Sequence, residues 1–208
     1  MKMTILEHSY QKAFFALLLF LSITSYTKAQ SYAYFTYDDF LNQKYTHVEP
    51  EDFMFYKGYP DDLIHISKKA LWNNKDTWGY VWNQSLYRQA NVRGAVSGTY
   101  IFKVIAVGEY VLYRYFNFSV GLPNGEIANA NRIPIPIYYV SKNLNSPLYR
   151  ADITHMDKVT AKDPIFSKLE KYLDKAPDSE SFEFLVEEYI KNSKEYKPLK
   201  DLLPSAKK

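Results

Sequence analysis

The sequence has no cysteine among its 208 residues, which excludes disulfide bonds, thiolate metal sites, cysteine nucleophiles and lipid anchors attached through cysteine. Glycine and proline are also scarce, at 7 and 10 residues, so collagen-like and low-complexity chains are excluded. The chain is instead rich in hydrophobic and aromatic side chains, at 47% and 17% of all residues. This composition predicts one folded domain of ordinary size.

The first 29 residues follow the order of a secretory signal peptide. A polar start with two lysines precedes the apolar run 13–21, which is about half of the ~20 residues that a membrane-spanning helix needs. Thr27 and Ala29 suit cleavage before Gln30, although an uncleaved amphipathic or buried helix is the alternative. We therefore predict a bacterial protein exported to the periplasm or beyond the cell, with no transmembrane segment in the mature chain, and not a lipoprotein.

Charge and motifs give little support for catalysis or nucleic-acid binding. The net charge of +3 falls to +1 without the leader, which holds three lysines and one glutamate, so no strong field for nucleic acid remains. His47, His65 and His155 are isolated in the mature sequence, and no nucleophile elbow, phosphate loop or metal-ligand spacing is present. The adjacent Asp61 and Asp62 follow a proline and are more typical of a solvated turn than of an acid–base pair. No catalytic residue, metal or cofactor is therefore predicted.

Alternating and aromatic segments predict an antiparallel β-sheet or partly closed barrel from about Leu63 to Val140. Asn83-Gln84 separates two aromatic strands as a hairpin turn would. In the last strand, Pro134 and Pro136 remove two hydrogen-bond donors from one side, so this strand is expected at the edge of the sheet.

The clearest hairpin is centred on Gly108-Glu109, which suits a two-residue type II′ turn. That turn places Ile105 opposite Leu112 and Lys103 opposite Arg114. Because opposed like charges destabilise a sheet, this pair needs an explanation. A neighbouring carboxylate would make the pair structural, an anionic ligand would make it functional, and a different register would remove it.

Three aromatic residues of another strand, Trp78, Tyr80 and Trp82, occupy alternate positions and are expected on one face, about 6.5 to 7 Å apart. If the row faces water, the rings can stack on sugars or on an extended ligand. If it faces the core, they bury large apolar areas. We favour the core interpretation, most clearly for Tyr80, and expect Trp82 to keep an exposed edge.

Helical patterns lie at both ends of the mature chain. Thr36 and Asp39 form a capping box for a short helix that begins at Tyr37. Near the C-terminus, a 3.6-residue apolar period predicts two helices packed on the sheet, about 163–175 and 179–193. Their expected N-caps are Asp163, which is followed by proline, and then Asp178 or Ser179.

The resulting prediction is a single α+β domain, residues 30–197, with a flexible tail at 198–208. It resembles a family of secreted single-domain proteins of unknown function from Bacteroidota-type bacteria. The segments responsible are the leader end at 28–30, the opening 34–44 and the aromatic segment 78–88, and the match covers about residues 30 to 120. The resemblance implies export and a strand-rich domain, and it transfers no catalytic residue.

For function, we predict a non-enzymatic binding or envelope-associated module whose ligand is a glycan or peptide of the cell envelope. Its candidate ligand-binding residues are Trp78, Tyr80, Trp82, Lys103 and Arg114. The alternative is a small secreted hydrolase whose site is assembled from scattered residues, such as His65 or His155 with a carboxylate. A pocket that holds a histidine, a carboxylate and a hydroxyl within hydrogen-bonding distance would favour the hydrolase.

Overall fold

A computed structural model of the chain describes residues 31–48, 53–55, 64–66, 77–91, 99–117, 135–176 and 180–204, with the backbone alone for 53–55 and 64–66. By its contacts, Ser31–Lys208 forms one compact unit. Several sequence predictions lie outside the described residues: the signal peptide, Asp61 and Asp62, Pro134, the cap candidates Asp178 and Ser179, the side chain of His65 and the last four residues. No helix among the described residues is long and apolar enough to cross a membrane.

An open antiparallel sheet of eight strands, in the order β10-β9-β8-β7-β6-β5-β1-β2, forms the centre of the fold. Because C-terminal helices pack on this sheet, the predicted α+β class is confirmed. The start of the sheet was predicted wrongly, since β1 and β2 belong to it and β4 pairs only with β3. The strands are β1 (Tyr32–Tyr34), β2 (Thr46–His47), β3 (Phe53–Phe55), β4 (Ile64–Ile66), β5 (Gly79–Trp82), β6 (Ser85–Asn91), β7 (Thr99–Val107), β8 (Val111–Asn117), β9 (Ile135–Ser141) and β10 (Tyr149–Ala151).

Most of the helical structure follows the sheet. The helices are α1 (Tyr37–Leu41), α2 (Met156–Lys162), α3 (Ser167–Leu173), α4 (Phe182–Lys191) and α5 (Leu199–Leu202), and single 3₁₀ turns at Ile153–His155 and Pro164–Phe166 precede α2 and α3. The sequence analysis predicted α1, α3 and α4 but neither α2 nor α5. Helix α2 is short and buries only Met156 and Val159, which is too few apolar residues to show a period.

Side-chain caps fix where these helices begin. The predicted capping box is present at α1, where Thr36 Oγ1 accepts from the Asp39 amide at 3.0 Å and Asp39 Oδ2 accepts from the Thr36 amide at 3.1 Å. Asp163 caps the turn before α3, with proline at its first position, as predicted. The cap of α4 is Ser181, whose hydroxyl accepts from the Phe184 amide, so the prediction of Asp178 or Ser179 was wrong.

The two central hairpins differ in how well their turns were predicted. Asn83 and Gln84 both have positive φ, 43° and 60°, which confirms a two-residue turn matched to the twist of β5 and β6. The prediction of a type II′ turn at Gly108-Glu109 is wrong, because the loop has three residues. A bulge at Ile105 also shifts the register next to the loop. Beyond the bulge, Lys103 pairs with Arg114 as predicted.

Glycine is needed at position 108 for space and not for a left-handed turn. A Cβ atom there would lie 2.6 Å from Ser193 Oγ and 3.0 Å from Ile190 Cγ2 and from the Ile190 carbonyl oxygen. The end of α4 therefore packs directly on the β7–β8 loop. A pattern of strands gives no signal for such a long-range contact, which is why the turn type was predicted wrongly.

Strand β9 is not the edge of the sheet, which corrects the prediction from its prolines. It lies between β8 and β10, and β10 pairs with its residues Tyr138, Tyr139 and Val140. Pro136 lies beyond that paired segment and faces Phe116 of β8. The proline thus marks where the three-residue β10 ends its pairing, since Pro has no amide hydrogen to donate.

The two faces of the sheet carry different cores. We call one the helix-side core; it comprises Ala106, Tyr110, Leu112, Val140 and Ala151 together with the buried residues of α2, α3 and α4 and Phe166. We call the other the aromatic core; it comprises Tyr32, Tyr34, Phe40, Trp78, Val81, Leu86, Phe102, Val104, Val107, Val111, Tyr113, Tyr139 and Leu144. Consecutive residues of β8, Leu112 and Tyr113, belong to different cores, as strand alternation requires.

The C-terminal segment is part of this packing, which corrects the prediction of a flexible tail from residue 198. Leu199, Leu202 and Leu203 are partly buried against the aromatic core. The Lys197 amide donates to the Val107 carbonyl at 2.9 Å, and the Gln43 side chain donates to the Leu202 carbonyl. Three leucines are enough to hold α5 because the sheet offers them an apolar surface that the sequence pattern does not show.

Candidate functional site

The predicted aromatic row is divided between two parts of the molecule. Trp78 lies just before β5 and packs in the aromatic core, 4.9 Å from the Phe40 ring and 5.2 Å from the Tyr37 ring. Tyr80 is 1% exposed, and its hydroxyl donates to Gln89 Oε1 at 3.0 Å within a separate small cluster. Trp82 is partly buried against that small cluster. The burial of Trp78 and Tyr80 favours the core interpretation over a ligand platform.

The opposed cations Lys103 and Arg114 are also explained by the structure. Arg114 Nη1 lies 2.7 Å from Glu183 Oε1, and Tyr138 donates its hydroxyl to Glu183 Oε2 at 2.6 Å. Glu183 is on α4, so this carboxylate joins the helix to β8 and β9. The pairing of Lys103 with Arg114 is as predicted, and a neighbouring carboxylate is the alternative that the geometry supports for Arg114.

The described residues form a cleft of about 820 Å³ between β10, α2 and the end of β6. Its volume is in the range of small-molecule sites. Among its lining residues Arg150, Lys158 and Lys162 are cationic, and Asp152 is acidic. Lys158 and Lys162 are four residues apart on α2, so they lie on one face of that helix. We call this site the basic cleft.

None of these three cations makes an ion pair with another residue in the part of the chain that the structure describes, and all three are exposed. Their charges are therefore not neutralised by a neighbouring carboxylate. A concave surface with several uncompensated cations attracts anions and concentrates them.

A hydrogen-bonded triangle lies in the wall of the basic cleft. Asp152 Oδ1 is 2.6 Å from His155 Nδ1, and Thr154 Oγ1 is 2.8 Å from Asp152 Oδ1 and 2.9 Å from His155 Nδ1. Asp152 also caps the 3₁₀ turn by accepting from the Thr154 amide at 3.0 Å. The local turn therefore fixes all three side chains relative to one another.

The hydrogen bonds of the triangle indicate which nitrogen of His155 carries a proton. Burial alone would raise the pKa of Asp152, but the hydrogen bonds from His155 and Thr154 outweigh it and hold that pKa below its usual value. An ionised carboxylate only accepts, so His155 donates from Nδ1 and, when neutral, keeps Nε2 as an acceptor. Nε2 makes no hydrogen bond with a described residue. The imidazole is thus oriented as a general base would be.

Sequence reasoning named His155 only as one part of a scattered site, and it missed the partners. The signal for them is local: Asp152, one residue, then Thr154 and His155 form a side-chain cap at the start of a helix. The lysine pair at positions 158 and 162 is the second signal, since a four-residue spacing places both charges together on a helix.

In the described ranges, no group of three His, Asp or Glu side chains is placed to hold a metal ion. No protein-family model, no curated protein and no solved structure matches the chain. The resemblance to secreted Bacteroidota-type proteins therefore stays a prediction.

Proposed function

We propose that the protein is an exported, non-enzymatic binding module whose basic cleft holds an anionic ligand of the cell envelope, an acidic glycan or an acidic peptide. The observation that supports this is the charge of the lining: three cations and an imidazole surround one carboxylate. The carboxylate makes its close contacts with His155 and Thr154, and its single charge leaves the lining with an excess of positive charge. The leader-like first 29 residues support the export part of the proposal.

The first test is equilibrium binding of the purified protein to two acidic probes, oligogalacturonate and oligoglutamate, with a neutral maltooligosaccharide as control. We expect the acidic probes alone to bind, and we expect salt to weaken their binding because the contacts are screened at physiological ionic strength. Equal binding of the neutral sugar, or binding insensitive to salt, would contradict the proposal.

The second test locates the binding in the cleft. Lys158→Gln and Lys162→Gln are each expected to lower the affinity for the acidic probe by about fivefold, which is the order expected for one exposed charge interaction. Lys175→Gln is the matched control, because Lys175 is equally exposed but does not line the cleft. A Lys175 variant that loses as much affinity as the Lys158 variant would show that the attraction is not specific to the cleft.

A second candidate function is the hydrolase, favoured by the 2.6 Å contact of Asp152 and His155, which both line the cleft, and by the Thr154 hydroxyl bonded to them. The hydroxyl of Thr154 bonds to Asp152 and to the same ring nitrogen, so it is not placed to attack through Nε2. The attacking group would be water, which would give its proton to His155 Nε2.

This candidate is tested with chromogenic acidic esters, comparing the wild type with His155→Gln and Asp152→Asn. Turnover that is lost in both variants would support it. Absence of turnover in the wild type, together with intact binding of the acidic probe, would contradict the hydrolase and leave binding as the only supported function.

A further inference from the structure

A buried arginine on the aromatic face of the sheet has no acidic partner among the described residues. Arg88, on β6, is 7% exposed. Its Nη1 atom donates to the Ser146 carbonyl at 2.7 Å and to the Tyr113 hydroxyl at 3.2 Å, and both acceptors are neutral. No carboxylate of a described residue lies within ion-pair distance of it. A guanidinium keeps its charge at all physiological pH values, so this buried charge is not compensated.

The hydrogen bonds of Arg88 are confined to one end of the guanidinium. Nε is buried and has no hydrogen-bond partner, and Nη2 makes no hydrogen bond with any described residue. Nε and Nη2 form the edge of a guanidinium that binds a carboxylate through two parallel hydrogen bonds. The Tyr113 ring lies on another side, 5.8 Å from the guanidinium carbon. The protein thus holds the group in place and leaves its bidentate edge unused.

Two other buried polar atoms on the neighbouring strands also lack partners, the Tyr34 hydroxyl and the Trp78 indole nitrogen. Tyr34 pairs with Gly79 and Gly79 pairs with Arg88, while Trp78 precedes Gly79, so all these residues come from adjacent positions across three strands. Buried polar atoms without partners are rare in folded proteins and call for a specific explanation. Here they lie on strand positions next to Arg88, a buried cation with no counter-ion among the described residues.

We propose that Arg88 anchors a second binding site, which takes the carboxylate of a small organic acid on the Nε–Nη2 edge of its guanidinium. The ligand supplies the missing negative charge and satisfies two donors at once. Arg88 and the two residues that hold it, Tyr113 and Ser146, do not line the basic cleft. The two proposals can therefore fail separately.

The test measures thermal unfolding of the purified protein in benzoate or acetate against chloride at equal ionic strength. A ligand at about tenfold its dissociation constant is expected to raise the melting temperature by about 3–6 °C. Arg88→Met, which keeps the length but removes the charge and the fork, is expected to show no such rise. Lys175→Gln, at an exposed cation that does not line the basic cleft, is the control and is expected to keep it.

A second measurement does not depend on the Arg88→Met variant. The Nε–H resonance of Arg88, assigned by its loss in Arg88→Lys, is expected to shift on titration with benzoate. No difference between carboxylate and chloride in the wild type would overturn the proposal, as would an Arg88→Met variant that is stabilised as much as the wild type. If Arg88→Met does not fold, an Nε–H resonance that stays fixed at saturating benzoate would overturn it as well.

Discussion

The two faces of the sheet differ in how the buried polar side chains are hydrogen-bonded. On the helix-side core, tyrosine hydroxyls and a guanidinium have defined partners: Tyr110 donates to the Ile165 carbonyl at 2.7 Å, and Glu183 accepts from both Tyr138 and Arg114. In the aromatic core, the hydroxyl of Tyr34 and the indole nitrogen of Trp78 have no hydrogen-bond partner among the described residues. On the helix side a carboxylate thus joins α4 to the sheet, whereas the aromatic side carries the buried polar atoms on which the second proposed site rests.

The largest expected effect on stability comes from removing a buried ring of the helix-side core. Phe166 is fully buried and contacts the rings of Tyr110 and Tyr149. Phe166→Ala should lower the free energy of unfolding by about 3–5 kcal/mol, because it removes apolar burial and leaves a cavity. The measurement is urea denaturation, with Phe184→Ala as control, since Phe184 is 54% exposed and its loss should change stability by about 0.5 kcal/mol or less.

The tryptophans test the aromatic side in the same way. Trp78→Ala should cost about 3–5 kcal/mol of the free energy of unfolding, because the indole is buried against Phe40 and Tyr37. Trp82→Ala should cost about 1–2 kcal/mol, since Trp82 is only half-buried. Equal costs in chemical denaturation would contradict the division of the aromatic row.

The features that the sequence predicts correctly are mostly those that depend on residues close together in the chain. The capping box at Thr36 and the turn at Asn83 depend on neighbouring residues, and both are present as predicted. The Lys103–Arg114 pairing is also right, but only because the bulge at Ile105 offsets the extra residue of the loop and returns β7 to the predicted register. The errors lie where distant segments meet: the loop at Gly108 under α4, and the leucines of α5 on the aromatic core.

The candidate site shows the same limit. His155 could be named from sequence, but its placement in one cleft with Arg150 and Lys158 depends on how α2 follows β10. Arg88 gave no signal at all, because an arginine in an alternating strand is normally taken as solvent-facing. Its burial results from the loop after β9, which brings Ser146 to within 2.7 Å.

Gly79 and Gly108 both lack space for a Cβ atom, but the atoms that crowd them differ. A Cβ at Gly79 would lie 2.6 Å from the Tyr87 carbonyl oxygen, which is backbone and has little freedom to move. At Gly108 the nearest atom is the Ser193 hydroxyl, which can rotate away. We expect Gly79→Ala to cost about 3 kcal/mol and Gly108→Ala about 1–2 kcal/mol of unfolding free energy.

A double variant checks the reason for this difference. Adding Ser193→Ala to Gly108→Ala removes the closest atom and should recover part of the lost stability in the same denaturation measurement. No matching side-chain change is available for Gly79, because its clash is with a carbonyl group. A double variant no more stable than Gly108→Ala would indicate that the Ile190 backbone sets the cost instead.

The smallest expected effect concerns the acid dependence of the helix side. The Glu109 carboxylate accepts from Lys168 Nζ at 2.7 Å and from the Tyr189 hydroxyl at 3.1 Å, and these hydrogen bonds, with that of Lys168 the stronger, lower the pKa of Glu109 in the fold. A carboxylate whose pKa is lower in the folded state stabilises it above the unfolded-state value of 4.5, and this contribution is lost as the pH falls below that value. Glu109→Gln should therefore reduce stability slightly at neutral pH and flatten its decline in acid. Because Lys168 is highly exposed, we expect a change smaller than that of Gly108→Ala. The measurement is urea denaturation across the acid range, with the exposed Glu180→Gln as control, and an unchanged pH dependence in the Glu109 variant would show that this pair does not join the β7–β8 loop to α3 in solution.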